Sequence, residues 1–173
     1  MKITWLGHAA FLIEGSKKVL IDPFISGNPV APVKPEDLEA DVILVTHGHN
    51  DHLGDAVEIA SRCGAPIICI YELSVFLGDK GVETIGMNIG GTLKLDDNLK
   101  ITMVKAVHSA DVVENKIISA GEPVGFTLSS NFNVPPMFIP IVSTPLSPRK
   151  TDSSYIQIIG ASHLLAISTA SPK

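Results

Sequence analysis

The chain has 173 residues, of which 45% are hydrophobic and 18% are charged, a composition typical of a single soluble globular domain. Its formal net charge is −5 and its 13 Lys and Arg residues do not cluster, so nucleic acid is not an expected partner. No stretch approaches the roughly 18 consecutive apolar residues that span a bilayer, and a membrane partner is not expected either.

The compartment is predicted from the cysteines and the N-terminus. Cys63 and Cys69 are too few for a disulfide framework, and their apolar or helix-ending surroundings favour reduced thiols. The N-terminal apolar run is interrupted by His8 and lacks a small-residue cleavage site, so it does not resemble a secretion signal. We therefore expect a cytoplasmic protein.

The first part of the chain predicts strands. Residues 2–6, 10–14 and 19–21 are short β-rich runs separated by turn residues, which predicts an antiparallel meander. Four prolines between residues 23 and 35 predict an irregular loop, followed by a short helical turn at 35–38. Residues 41–45 form a continuous apolar run, which is typical of a strand buried on both faces.

Beyond this strand, helices and strands are predicted to alternate. A helix is expected over residues 54–62, with Ala56, Ile59 and Ala60 facing inward and Gly64 at its C-terminal cap. A second short helix is predicted at 72–77, and a hairpin is predicted to turn at residues 95–98. Further strands are predicted at residues 66–70, 99–107 and 123–128.

The most distinctive segment follows the buried strand and reads Thr46-His47-Gly48-His49-Asn50-Asp51-His52. Imidazole and carboxylate groups are the ligands that bind borderline metals such as zinc and iron. On a loop, His47 and His49 can converge on one ion, while Asp51 and His52 turn toward a second. A solvated loop or a capping cluster is the weaker alternative, because the spacing and the strand-end position agree with metal binding.

A third imidazole for the first ion is predicted at His108, at the end of a later strand, although a single histidine there can also be an ordinary hydrogen-bonded residue. Three imidazoles leave a position for water, and a divalent cation lowers the pKa of such a water to about 7. Asp51 is the predicted catalytic residue, because its carboxylate can orient the hydroxide or shuttle its proton. We expect one or two divalent ions, Zn²⁺ first, with Mn²⁺ or Fe²⁺ as alternatives.

Two residues outside the motif are additional candidates. His8 lies between two predicted strands, where it either faces the site, behind the ligands or against a substrate, or packs as an ordinary histidine. Asp22 follows a strand and precedes Pro23, so it either orients a ligand by a hydrogen bond or simply ends the strand. The sequence leaves both choices open.

Several segments resemble the metallo-β-lactamase superfamily and, within it, UPF0173-type metal-dependent hydrolases related to ascorbate-phosphate lactonases. The matching residues are 7–9, 20–24, 46–54, and 108–110 with 121–126. The resemblance covers about residues 1–130 and implies an α/β fold, the αββα sandwich, with a dinuclear site at one edge of its sheets. It implies that His47, His49 and His108 hold one metal and that Asp51 and His52 hold the other.

After Ser130 the composition changes to a segment rich in Pro, Ser and Thr, where the resemblance stops. The family's bridging aspartate and last histidine have no convincing counterpart there, and His163 is expected to be incidental. We therefore expect a metallo-β-lactamase-like domain at 1–130, incomplete in its C-terminal half, with 131–173 as a frameshifted or truncated remainder. Uncovered sheet surface would favour a homo-oligomer.

These features predict a metal-dependent hydrolase that uses metal-activated water on a small ester, lactone or phosphodiester substrate. The alternative is a catalytically defective or structural relative that binds one metal weakly, because the second ion would lack its bridging ligand. A nucleic-acid-cleaving enzyme is disfavoured by the acidic charge.

Overall fold

Two six-stranded sheets form the centre of the molecule in the computed structural model, which describes residues 2–113 and 117–130 together with strands at 137–139, 156–158 and 165–167. The strands of the first sheet are β1 (Lys2–Trp5), β2 (Phe11–Glu14), β3 (Lys18–Ile21), β4 (Val42–Leu44), β5 (Ile67–Ile70) and β6 (Thr84–Met87). They lie side by side in chain order, with β1 to β3 antiparallel and β3 to β6 parallel. The predicted meander and buried strands are confirmed.

Helices connect the parallel strands. They are α1 (Asn50–Leu53), α2 (Ala56–Cys63) and α3 (Tyr71–Gly78), with a short 3-10 helix at Pro35–Asp37. In α2 the residues predicted to face inward, Ala56, Ile59 and Ala60, are buried, and the helix ends at Gly64 with a left-handed φ of 65°. Because β4-α2-β5 and β5-α3-β6 connect neighbouring parallel strands, their right-handed crossovers place α2 and α3 on one face of the sheet.

The second sheet is built around a long hairpin. Its strands are β7 (Thr92–Asp96), β8 (Leu99–Lys105), β11 (Val124–Ser130), β12 (Met137–Ile139), β13 (Ile156–Ile158) and β14 (Leu165–Ile167), and β9 (Val112–Val113) with β10 (Ile117–Ile118) forms a separate pair. β8 and β11 are antiparallel along their whole length, from Leu99↔Ser130 to Lys105↔Val124. The hairpin turn was predicted correctly, whereas β8 ends two residues earlier than expected and the β9–β10 pair was not predicted.

One hydrophobic core joins the helices to the first sheet and the first sheet to the second. Every residue of β4 and β5 is buried, as a strand needs when helices cover one face and a second sheet covers the other. In β8 the buried residues alternate with half-buried ones, and Ile101 and Met103 join the same core as Phe126 of β11. These layers are those of the predicted αββα sandwich as far as the second sheet; no helix after α3 is found among the described residues.

The expectations for residues 131–173 stay predictions. Only three short strands of this segment are described, all in the second sheet, and His163 lies outside the described residues. None of the helices in the described part of the chain is long and apolar enough to cross a membrane.

Candidate metal centre

Five of the six histidines of the chain gather at the edge of the first sheet where β3 and β4 end. β3 and β4 are parallel, so their carboxyl ends meet at one edge, and the residues that follow them, Asp22 and Thr46, are neighbours there. The gathered histidines are His8 in the turn between β1 and β2, His47 and His49 after β4, His52 in α1 and His108 after β8. The motif is therefore a loop that begins at a strand end and continues into a short helix, α1, that was not predicted.

The predicted first set of imidazoles is brought together. One ligand atom from each of His47, His49 and His108 lies within 4.8 Å of the others. The centroid of the His47 ring is 4.5 Å from that of His49 and 4.8 Å from that of His108. Two nitrogens bound to one tetrahedral zinc at about 2.0–2.1 Å lie roughly 3.4 Å apart, so small side-chain rotations would close this set around an ion.

Backbone hydrogen bonds hold the motif against the second sheet. The amide of Gly48 donates to the carbonyl of Ala110 at 3.1 Å, and the amide of Val124 donates to the carbonyl of Thr46 at 2.9 Å. A Cβ at position 48 would lie 2.6 Å from Cγ2 of Val112 and 2.9 Å from the Ala110 carbonyl oxygen. Glycine at this position is therefore what allows the motif to approach the segment that follows His108.

A second group of candidate ligands contains His8, Asp51 and His52, again with ligand atoms within 4.8 Å of one another. Nε2 of His8 lies 3.2 Å from Oδ2 of Asp51, and the ring centroids of His8 and His52 are 5.2 Å apart. The sequence predicted the pair Asp51 and His52 but left His8 undecided between facing the site and packing elsewhere. The structure places His8 in the site.

The role of Asp22 is resolved in favour of a hydrogen-bonding residue. Its side chain is buried, and Oδ1 accepts from the amide of Thr46 at 2.8 Å. Oδ2 accepts from Oγ1 of Thr46 at 2.5 Å and pairs with Nδ1 of His52 at 2.9 Å. Asp22 therefore fixes both the start of the motif and the orientation of one of its rings, as carboxylates behind metal-binding histidines commonly do.

This network also sets which ring nitrogens carry protons. An ionised carboxylate only accepts hydrogen bonds, so Nδ1 of His52 donates to Asp22 and the Thr46 hydroxyl donates to Asp22 as well. The Thr46 hydroxyl has only one proton, and it donates this proton to Asp22. Its oxygen, 3.1 Å from Nδ1 of His47, therefore accepts a hydrogen bond from that nitrogen. Neutral rings with a proton on Nδ1 keep a lone pair on Nε2, the atom that is then available for a metal.

The electrostatics keep part of the site neutral. Burial, followed by the neighbouring rings of His52, His49, His108 and His8, lowers the pKa of His47 to about 2. Burial and the neighbouring histidines also hold the pKa of His108 below its usual value. Burial opposes charge on His52 too, but the hydrogen bond and charge of Asp22, with Asp51, together raise its pKa. At neutral pH, His47 and His108 are therefore uncharged, as metal ligation requires.

Two buried nitrogens in the described part of the chain have no hydrogen-bond partner: Nε2 of His47 and Nε2 of His8. Leaving a buried polar atom unpaired costs about 1–3 kcal/mol, so such atoms call for a physical reason. Two cations, one at each group of candidate ligands, would supply the missing partners of these atoms. The residues at this site therefore fit a bound metal.

Backbone strain is concentrated at the same place. Among the described residues, His8 with φ of 51° and Asp22 with φ of 42° are the non-glycine residues in the left-handed region. This conformation costs about 1–2 kcal/mol for an L-residue. Asp and His tolerate it better than most residues, which is consistent with side-chain chemistry outweighing backbone preference at both positions.

Proteins with similar sequences belong to a family of metal-dependent hydrolases. A model of the metallo-beta-lactamase superfamily matches residues 3–140. A "UPF0173 metal-dependent hydrolase" of Archaeoglobus fulgidus is 66% identical over 131 residues, which are 75% of this chain and 56% of that protein. A relative of the same description from Methanopyrus kandleri is 53% identical, over 75% of this chain and 57% of its own length. The chain thus spans little more than half the length of these relatives.

Solved structures share the fold. Igni18, described as a novel metallo hydrolase from the archaeon Ignicoccus hospitalis, superposes with a TM-score of 0.68 at 36% identity, covering 79% of this chain and 57% of that one. A B3 metallo-beta-lactamase with an active-site glutamic acid superposes with a TM-score of 0.61 over 95% of this chain and 78% of its own, at 15% identity, which supports the fold alone. With its sandwich, its strand-end histidines and a family match over most of its length, the chain belongs to the metallo-beta-lactamase superfamily.

Proposed function

We propose that the chain carries the metal centre of a hydrolase, in which His47, His49 and His108 hold one divalent ion and Asp51 and His52 contribute to a second. The observation that carries this proposal is the buried, unpartnered Nε2 of a neutral His47 at the centre of the histidine cluster. A bound divalent ion supplies a Lewis acid and a water whose pKa is lowered to about 7. The names of the relatives, metal-dependent hydrolases and a metallo hydrolase, support the same chemistry.

The choice of metal follows from the ligand types. Three imidazoles suit zinc, and a group with two imidazoles and a carboxylate suits zinc, iron or manganese. We therefore propose Zn²⁺ first, with Mn²⁺ or Fe²⁺ as alternatives. The free thiols of Cys63 and Cys69 are compatible with the reducing cytoplasm proposed as its location.

Exposure divides the site into a fixed interior and an accessible side. His47 and His52 are buried, whereas His49 is half-buried and His108 is exposed. The side chain of Asp51 is 51% exposed, so its carboxylate is the group best placed to accept a proton from a substrate or a water on that side. A small ester, lactone or phosphodiester is the proposed substrate class.

The proposal is tested on the purified chain loaded with Zn²⁺, Mn²⁺ or Fe²⁺. Metal content is measured by elemental analysis, and turnover with 4-nitrophenyl acetate, a γ-lactone and bis(4-nitrophenyl) phosphate. We expect His47→Ala to remove the first ion and activity together. We expect Asp51→Asn to lower kcat at least about 100-fold, the usual scale for a lost acid–base group.

The competing hypothesis is a catalytically defective or structural relative. It is favoured by the two groups of candidate ligands, which share no residue in the described part of the chain that could bridge two ions. A chain that holds no stoichiometric metal after loading, or whose turnover is unchanged in His47→Ala, would overturn the hydrolase proposal in its favour.

A further inference from the structure

We infer that His8 is the third protein ligand of the second metal position, completing it with Asp51 and His52. This inference rests on the proposed metal centre and goes beyond it, because it assigns a ligand that lies outside the histidine motif. It also means that the second ion depends on a turn near the start of the chain.

The backbone holds His8 in place without any metal. The turn between β1 and β2 is closed by hydrogen bonds from the amide of Leu6 to the carbonyl of Ala10, 2.8 Å, and from the amide of Ala10 to the carbonyl of Gly7, 2.9 Å. The indole Nε1 of Trp5 donates to the carbonyl of His8 at 3.0 Å. With this turn fixed, the left-handed φ of His8 determines the direction of its side chain.

The ring of His8 is also oriented by its neighbours. It packs edge-on against Phe24, with centroids 5.8 Å apart, and against His52, with centroids 5.2 Å apart. In this orientation Nε2 lies 3.2 Å from Oδ2 of Asp51 yet has no hydrogen-bond partner. Two ligand atoms of one metal ion lie at about this distance from each other and form no hydrogen bond. The nitrogen of His8 and the oxygen of Asp51 therefore have the arrangement of two ligands of the same ion.

The other two ligands are oriented in the same way. Nδ1 of His52 is taken by Asp22 at 2.9 Å, so Nε2 is the atom left for an ion. The carboxylate of Asp51 supplies an oxygen from the accessible side of the site. Two histidines and one carboxylate are a ligand set that divalent zinc or iron accepts with open positions for water or substrate.

The decisive variant is His8→Asn, because Asn is among the residues that best tolerate a left-handed backbone and its short amide cannot reach the position of Nε2. His8→Gly, which has no penalty at positive φ, is the second variant and decides the test if His8→Asn does not fold by circular dichroism. His163→Asn is the matched control, since His163 is the one histidine of the chain that is not among the described residues and the sequence gives it no ligand role. Co²⁺ is the probe, titrated by its visible absorption, with elemental analysis of the saturated protein.

We expect the wild-type chain to bind two Co²⁺ ions, His8→Asn and His8→Gly to bind one, and His163→Asn to bind two. We expect His47→Asn to lose the other ion, with a different change in the cobalt spectrum. The inference is overturned if His8→Asn retains two ions with dissociation constants within about threefold of wild type, or if His163→Asn instead loses one.

The outcomes separate this inference from the proposed function. If the wild type binds two ions that depend on His8 and His47 but hydrolyses no substrate of the panel, the hydrolase proposal fails and the ligand assignment holds. If the wild type binds one ion, which His47→Asn removes and His8→Asn does not, the ligand assignment fails while the hydrolase proposal stands. A wild-type chain that binds no ion overturns both.

Discussion

Replacing Asp22 by Asn tests how much of the site depends on one buried carboxylate. Asp22 accepts hydrogen bonds from the amide of Thr46, the hydroxyl of Thr46 and Nδ1 of His52. In Asp22→Asn, the amide group must turn its NH₂ toward at least one of these donors. The less costly orientation leaves only the Thr46 amide unpaired, which costs about 1–3 kcal/mol, and the remaining bonds lose the charge that strengthened them. We expect the free energy of unfolding to fall by about 2–4 kcal/mol.

The same substitution should weaken metal binding. Without the carboxylate, the His52 ring is no longer held with its proton on Nδ1, and losing such a partner typically lowers metal affinity about 10- to 100-fold. Zinc affinity is measured by competition with a chromophoric chelator, and stability by urea denaturation of the metal-free chain.

The matched control for this experiment is Asp55→Asn. Oδ2 of Asp55 accepts from the amides of Ile25 and Ser26, at 2.8 Å each, and Asp55 belongs to neither group of candidate ligands. The Asp55→Asn chain should lose about 1 kcal/mol of its free energy of unfolding and keep the zinc affinity of the wild type. An Asp22→Asn protein with the zinc affinity of the control would refute the role assigned to Asp22.

Three further predictions follow from the same structure. Lowering the pH from 7 to 5 should reduce the free energy of unfolding of the metal-free chain. His47 alone contributes about 2 kcal/mol to this loss, because the unfolded chain protonates it near pH 6.5 whereas the folded chain keeps it neutral down to a pKa of about 2. The lowered pKa of His108 adds to the loss and the raised pKa of His52 opposes it; a His47→Asn chain that loses as much stability as wild type in urea titrations would contradict the role of His47. Gly48→Ala should weaken zinc binding by about tenfold or more, because overpacking typically costs 1–3 kcal/mol. The control, Gly15→Ala, should bind zinc as wild type does, because a Cβ at position 15 meets nothing within 4 Å. Equal zinc affinity of the two variants would show that position 48 has room for a side chain. A thiol reagent should label only Cys63 in the native chain and both cysteines in the unfolded chain, because burial raises the pKa of the Cys69 thiol to about 12. Mass spectrometry locates the label. Rapid labelling of Cys69 in the native chain would contradict the prediction.

The elements that could be predicted from the sequence are those whose pattern is local. β4 and β5 are continuous apolar runs, and α2 carries its buried residues at helical spacing with a glycine at its end. Both patterns depend only on the order of apolar and polar residues within a few positions along the chain. They were therefore sufficient to place these elements and the motif that follows β4.

The features that were missed depend on contacts between distant segments. The short helix α1 lies inside the motif, where spacing alone does not distinguish a helical turn from a loop. The choice between the two roles of Asp22 required the position of Thr46 and His52, and the direction of the His8 ring depends on a positive φ. A positive φ at a non-glycine residue leaves no local pattern in the sequence. The one signal that could have suggested it is a histidine in a turn, because histidine adopts a positive φ more often than most residues.

His47 and His108 meet at one site but follow strands of different sheets, which has a mechanical consequence. His47 follows a strand of the first sheet and His108 follows a strand of the second, so an ion held by both is a cross-link between the two halves of the sandwich. Such a link closes a loop of about 60 residues, and by the chain-entropy model a permanent link of that length stabilises the folded state by about 4 kcal/mol. The ion would then act on folding as a reversible counterpart of a disulfide, with a melting temperature that rises with the concentration of free metal.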